Sequence, residues 1–408
     1  MGLNICLIHT NPFNPKIPAR PEILEIYGNI LPSFGHEIIW ITQSSEKEKK
    51  VEEKIFKKIH IYIIPNSSSS SFTSKVFNHI LYYVKEYGIL NNLIKKEKFD
   101  IIQVRNDFFS FLLALHIKNK YNIPFVFQYS FPLGIYENKR KKNFYSFCLV
   151  IFEKFFIKNI LKKADFILPI SKWMENELIE MGIPKSKMML LPMGINPNSF
   201  YLSDDKSIIR QKFGLESAKI ILYIGSMDGF RKLDTIIYAF SKIKENKKNN
   251  FKLLMVGDGN CRSTLENLSI SLGLKNDIIF TGEVSYYDVP YYIAASDVCL
   301  CPVPPLSIYK VSSPTKLFEY MVMKKPVVAN EEIPEQKEVI KESGGGILVK
   351  FNEKSFAEGI MKLFNDLEMA KMMGEKGYEW VVNHRSYESI AHELEKKYYE
   401  ILKTYNKS

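Results

Sequence analysis

Residues Val311–Ala329 read VSSPTKLFEYMVMKKPVVA, a helix start followed by a short buried strand. Ser313 is placed to cap, Pro314 suits the first helical position, and Leu317, Phe318 and Met321 recur on one face. The run KPVVAN then supplies a compact apolar strand. Lys316 stands in the first turn, where the helix dipole disfavours a cation, and Glu319 follows one turn later near the same edge. An anion lying at the helix start would account for that lysine; so would a side chain simply solvated there.

Working outward, the same alternation of strand and helix runs through the chain. NICLIHT, HEIIWIT, HIYIIP, FDIIQV, IPFVFQY and ADFILPIS read as strands, with a helix over Pro21–Phe34 and others between them. A second series follows: KIILYIGS, FKLLMVGDG, DIIFTGEV, DVCLCPV, KPVVAN and GGGILVK, with helices over Lys232–Lys247 and Arg262–Leu272. This βαβ rhythm implies α/β architecture with mostly parallel, doubly wound sheets. PMGINPNSFYLSDDKSIIRQKFG, rich in Pro, Asn, Ser and Asp, reads as a linker near residues 195–215. The expected division is a Rossmann-like domain over 1–200 and a second over 201–385. A long amphipathic C-terminal helix, from about 386 to 408, is expected to pack back on the first. Ligands of open α/β sheets bind at the carboxyl ends of the strands, so two such domains facing across a cleft suit two substrates.

Composition narrows the function classes. The chain has 408 residues, 46% apolar and 25% charged, as in ordinary globular proteins. Its five cysteines show neither metal-ligand spacing nor a disulfide framework, which points to a reducing, cytoplasmic setting. The start runs straight into a strand-like segment, no leader is expected, and no apolar run is long enough to span a bilayer. Net charge is +11, which reflects either a Lys-rich composition or an anionic partner. Residues 138–163, NKRKKNFYSFCLVIFEKFFIKNILKK, hold eight Lys/Arg and one Glu among aromatic and aliphatic residues. That composition fits a peripheral contact with an acidic membrane surface, or a buried connecting helix with solvated lysines. No nucleic-acid motif accompanies it, and no nucleic acid is expected as partner.

Motifs narrow the chemistry further. Gly257-Asp258-Gly259 follows a strand, but the third glycine of a dinucleotide fingerprint is missing. There is no Walker A lysine, no HExxH, no paired histidines and no GxSxG, so neither a metal nor a cofactor is expected. What remains are strand-to-helix turns of the second series. YIGSMDGFRK puts Gly225 and Ser226 at a strand end and Arg231 and Lys232 at a helix start; VSSPTKLFEY brings Ser312, Ser313, Thr315 and Lys316 to another. Two basic helix openings in one domain can hold a diphosphate between them, and Glu319 can accept hydrogen bonds from vicinal hydroxyls such as those of a ribose.

The segments LYIGSMDGFRKLDTIIYAF, LLMVGDGN, IIFTGEV, YIAASDVCLCPV and SPTKLFEYMVMKKPVVA, in this order, resemble the nucleotide-sugar domain of retaining glycosyltransferase family 4, which has the GT-B fold. FGHEIIWIT and ADFILPISKWMENELIEMGIPKSKMMLLPMGINPNSF resemble that family's first domain, so the resemblance covers nearly the whole chain. It implies that Glu319, matching the second acid of the family's E-x7-E signature, contacts the ribose. The first acid of that signature falls on Val311. The arginine of the family's G-R-L-x-x-x-K-G loop falls on Ser226 and its lysine on Arg231, or on Lys232 if the loop is one residue longer. Lys316 is expected to replace the missing charge, Gly257 to line the nucleotide-sugar site, and Val284 to lie where the family's backbone meets the base. On the acceptor side the family's glycine-rich loop is replaced by TNPFNPKIPAR, with Arg20 or Lys16 expected to face the cleft. Arg105 and Asn106 end another strand there, and Ser130 stands where the family often has a histidine.

The expected activity is a hexosyltransferase-type glycosyltransferase of the retaining class. It takes a sugar from a nucleoside diphosphate, UDP in preference to GDP, to a hydroxyl of a saccharide or lipid-linked acceptor at the cytoplasmic membrane face. Arg231, Lys316 and Glu319 are the expected catalytic residues, with no metal required. Another GT-B enzyme (a nucleotide-sugar epimerase or a phosphorylase) and a non-catalytic sugar-nucleotide-binding protein remain as alternatives.

Overall fold

The computed structural model describes residues 2–13, 22–44, 50–56, 58–65, 72–131, 155–156, 158–200, 207–245 and 250–405. The chain divides into two units, Met1–Pro192 with Tyr387–Ser408, and Met193–Ser386. It leaves the first unit ahead of the Pro/Asn-rich segment, because Met193, Ile195 and Phe200 are all buried within the second.

The strands of the first unit are β1 (Asn4–Phe13), β2 (Glu37–Ser44), β3 (Glu52–Phe56), β4 (Ile59–Ile64), β5 (Ile101–Arg105), β6 (Phe125–Tyr129) and β7 (Phe166–Pro169). They form one seven-stranded sheet in the order β3-β4-β2-β1-β5-β6-β7. The β-branched runs read from the sequence form the parallel ladder, with Ile5 opposite Ile38 on one side and Ile101 on the other. β3 is not legible in the sequence; its EEKIF pairs antiparallel with β4 as an edge strand with mostly exposed side chains. The expected Pro21–Phe34 helix is present but wound as a π-helix over Ile23–Ile30.

The C-terminal helix, Tyr387–Tyr405, belongs to this unit. Tyr387, Ile390, Leu394, Tyr398 and Ile401 recur at helical spacing and enter the same core as Ile5, Tyr27 and Trp40. Polar contacts fix its register. Buried His36 accepts the Leu3 N–H at Nδ1 and meets Glu395 through Nε2, both at 2.9 Å. Gln103, in the middle of β5, donates to the Tyr27 hydroxyl and accepts from that of Tyr398.

The second unit contains β8 (Lys219–Ile224), β9 (Phe251–Val256), β10 (Ile278–Gly282), β11 (Val298–Cys301), β12 (Val327–Asn330) and β13 (Gly346–Val349). These six strands form a sheet in the order β10-β9-β8-β11-β12-β13, parallel throughout. The chain order reverses direction at β8, between β9 and β11, which is the switch point where an open sheet binds ligands.

Candidate functional site

The carboxyl ends of β8, β9 and β10 lie nearly flush because glycine ends each of them. The Gly225 N–H bonds to Val256 and the Gly257 N–H to Gly282, each at 2.9 Å. A Cβ at Gly257 would lie 2.2 Å from the Gly225 carbonyl oxygen, so only glycine allows the two strand ends this approach. Gly225 has φ +146°, and a Cβ there would stand 2.7 Å from Lys316 Nζ. Lys316 therefore reaches back from its helix over the end of β8.

That helix spans Thr315–Val322, with Pro314 at the cap position and no side-chain cap. The sequence expectation that Ser313 caps it is not met. Ser313 is buried, and its hydroxyl donates to Glu335 Oε1 at 2.6 Å and accepts the Met193 N–H at 3.2 Å. Ser312 donates to the Tyr309 carbonyl at 2.6 Å, so neither serine hydroxyl is turned to a ligand. The first-turn amides of Thr315 and Lys316 have no intrahelical acceptor, as at any helix start. The Tyr320 hydroxyl accepts the Ile224 N–H at 3.0 Å, fastening the helix to the end of β8.

Lys316 Nζ lies 4.2 Å from the centre of the Tyr223 ring, and among the described residues it enters no ion pair. Burial pushes its pKa down to about 8, against the pull of Glu319. Glu319, 7% exposed, accepts no hydrogen bond among the described residues. Burial pushes its carboxyl up to about 7, with Lys316 drawing it back. A half-buried cation and a buried acid share one end of the sheet without pairing directly.

Arg231 joins them from the other turn. It ends the short helix Gly229–Arg231, and its Nε donates to Ser226 Oγ at 3.3 Å. Its guanidinium lies 4.9 Å from the Tyr309 ring centre. Lys232, in the left-handed conformation at φ 46°, is exposed, so the turn directs Arg231 and not Lys232 toward Ser226. Val284 is half-buried just beyond β10, and Val311, where the family's first acid falls, is buried at 2% exposed.

The first-unit residues are placed differently. Arg105 is buried, donating to Glu22 Oε1 at 2.9 Å and to His9 Nε2 at 2.6 Å, so its charge is matched inside the unit. Asn106, at φ 54°, accepts the Ser130 and Phe131 N–H groups and donates to the Phe131 carbonyl. Both were expected to face an acceptor; both instead brace the ends of β5 and β6. Ser130 is 5% exposed, and its hydroxyl has no partner among the described residues. Arg20 and Lys16, and residues 138–154 and 157 of the basic segment, lie outside the described residues.

Among the described residues no cluster of three or more His, Cys, Asp and Glu is placed to hold a metal ion. No described helix is long and apolar enough to cross a membrane. Sequence reasoning missed Tyr223 and Tyr309, the rings beneath Lys316 and Arg231, and Glu335, the acid that takes Ser313.

Two α/β units, the second with a cation-bearing turn and helix start at its switch point, define the class of fold into which the chain falls. The family model described as Glycosyl transferases group 1 matches residues 205–380, and that for Glycosyltransferase Family 4 matches 29–199. The chain belongs to the group 1 glycosyltransferases of family 4, has the GT-B fold, and is an enzyme of the hexosyltransferase kind. It is 25% identical over 351 residues to an uncharacterized glycosyltransferase of Methanocaldococcus jannaschii, covering 84% of this chain and 83% of that one. Sucrose-phosphate synthase from Thermosynechococcus elongatus superposes with TM-score 0.79 at 19% identity, over 98% of this chain and 100% of that one. An Anabaena protein solved in complex with UDP and glucose superposes with TM-score 0.70 at 14% identity, over 96% and 98%.

Proposed function

We propose that this glycosyltransferase retains anomeric configuration, takes its sugar from a UDP-sugar, and delivers it to a hydroxyl of a saccharide or lipid-linked acceptor at the cytoplasmic membrane face. The observation that carries the donor reading is the half-buried Lys316 ammonium, in no ion pair among the described residues and set beside the open amides of its own helix start and the Arg231 guanidinium. A diphosphate there would receive charge, dipole and backbone N–H groups together. Glu319, buried and without a donor partner among the described residues, suits the two hydroxyls of a ribose. The bound UDP of the Anabaena neighbour supports the choice of nucleotide.

In the reaction, the bond between the anomeric carbon and the β-phosphate oxygen breaks as the acceptor hydroxyl approaches on the same face. Charge grows on the leaving diphosphate, where Arg231, Lys316 and the Thr315 and Lys316 amides stabilise it. The acceptor proton passes to the leaving phosphate oxygen, because Val311 stands where the family has its first acid. No step requires a metal.

A membrane-side acceptor is supported by the basic, aromatic composition of 138–163 and by two packed helices of the first unit. Val84 of Phe72–Lys96 and Phe109 and Leu112 of Phe108–Tyr121 expose large apolar side chains, and Lys85 and Lys120 are exposed on the same two helices.

A thermal-shift screen across nucleotide sugars, followed by a transfer assay with NMR of the anomeric proton, tests the donor and the stereochemistry. Stabilisation by UDP-sugars and its loss in Glu319→Ala are expected; unchanged UDP affinity in that variant removes the ribose role. Flotation with anionic liposomes at low salt tests the membrane face, and absence of binding there rejects it.

A further inference from the structure

The Thr315–Val322 helix lacks a side-chain cap, and the loop leading into it is held by another device. The Ser313 hydroxyl uses its proton on Glu335 and a lone pair on the Met193 N–H. Glu335, 6% exposed, also takes Arg385 Nη2 at 3.1 Å. The Arg385 guanidinium lies 5.3 Å from the ring centre of Phe318, a residue of the same helix. The Arg385 carbonyl in turn accepts the Ile195 N–H at 2.8 Å. Met193 and Ile195 open the second unit, and Arg385 lies just before its end. One buried carboxylate thus gathers the loop that carries Thr315 and Lys316 and both chain segments by which the unit is entered and left.

We propose that Glu335 is a positioning residue for the donor site, fixing through Ser313 the loop that presents the Thr315 and Lys316 amides and the Lys316 ammonium. This rests on the nucleotide-sugar reading above. Glu335 touches no donor atom itself; it acts through the Ser313 hydroxyl and through Arg385 against Phe318. A second consequence is built in. A donor that orders the Ser313 loop also strengthens the bond from the Met193 N–H, so nucleotide binding and protection of that crossing segment are coupled in both directions.

The test compares Glu335→Gln and Ser313→Ala with the parent, reading UDP affinity by calorimetry, melting temperature, and hydrogen exchange of a peptide covering 190–197. Each variant should weaken UDP about tenfold, the scale of one lost hydrogen bond to a charged group. Each should also abolish the UDP-induced slowing of exchange at 190–197. The double variant should be little worse than the poorer single one, because both remove one shared network. Lys337→Ala, in an exposed pair with Glu331 on the same helix as Glu335, should behave as the parent. Variants that melt lower yet bind UDP as the parent does would reduce Glu335 to a purely structural acid and overturn the proposal. Should Glu335→Gln fail to fold, Ser313→Ala decides alone, since it leaves the Glu335–Arg385 pair intact. A parent that binds neither UDP nor any UDP-sugar overturns both this inference and the donor reading; a parent that binds them beside unaffected variants overturns this inference alone.

Discussion

Lys316→Met asks whether this ammonium serves a ligand or the fold, because the two roles predict opposite signs. Burial, foremost, lowers the Lys316 pKa from 10.5 to about 8. Holding the charge in the folded chain at neutral pH therefore costs at most roughly 3 kcal/mol. Between those two values the unfolded chain binds this proton more tightly, so the stability lost to Lys316 is regained as pH rises from about 8 through 10.5. Methionine fills similar space without the charge and removes the cost, so the variant should melt higher than the parent at pH 7. Nucleotide affinity should move the other way and fall by about tenfold or more, the scale of one strong charge-assisted contact. In the parent, the fraction of free enzyme carrying the ammonium drops from about nine-tenths at pH 7 to about one-tenth at pH 9. UDP affinity should weaken about tenfold across that interval, with a clearly shallower profile in Lys316→Met. Calorimetry at pH 7, 8 and 9 beside thermal melts provides both readouts. A variant that melts below the parent at pH 7, or one that keeps the parent's affinity and pH profile, refutes the reasoning.

Gly225→Ala should place a Cβ 2.7 Å from Lys316 Nζ in a backbone conformation of φ +146°. A stability loss of roughly 1–3 kcal/mol is expected from the strain, together with weakened UDP binding as the lysine is displaced; melts paired with calorimetry check both, and unchanged affinity would separate Gly225 from the site. Leu394→Ala removes a side chain that is 0% exposed in the first unit's core and should cost about 2–5 kcal/mol. Its effect belongs to that unit alone, so a denaturant melt should shift while UDP affinity at the second unit stays at the parental value.

The sheets were legible because their strands are β-branched apolar runs separated by helical patterns, and a strand buried on both faces has little other way to read. β3 escaped for the converse reason: EEKIF is a charged edge strand whose partner β4 identifies it only in space. In the site, Lys316, Glu319, Gly225 and Arg231 were local signals, each fixed by its distance from a strand end or helix start. Tyr223, Tyr309 and Glu335 were not, since tyrosines at strand and helix spacing look like core, and Glu335 meets Ser313 only through the fold. The serine was misread as a cap because its hydroxyl can serve a nearby amide or a distant acid, and here the buried acid prevails. Arg105 and Asn106 sit where an open sheet would show polar groups to a ligand, but Glu22 and the Ser130–Phe131 backbone had already claimed them.

The C-terminal helix also fixes an order of events during synthesis. Gln103 leaves the ribosome long before Tyr398, its hydrogen-bond partner 295 residues further along the chain. Until that helix emerges, the face of the first sheet that will receive Ile390, Leu394 and Tyr398 stays wet. The second unit, by contrast, is one continuous stretch from Met193 to Ser386 and needs nothing that follows it. The second unit's core is therefore complete within one run of chain, while the first unit's core is closed only when its last helix is added. Truncation at Ser386 would leave every residue of the second unit in place and strip the first unit's core of Ile390, Leu394 and Tyr398.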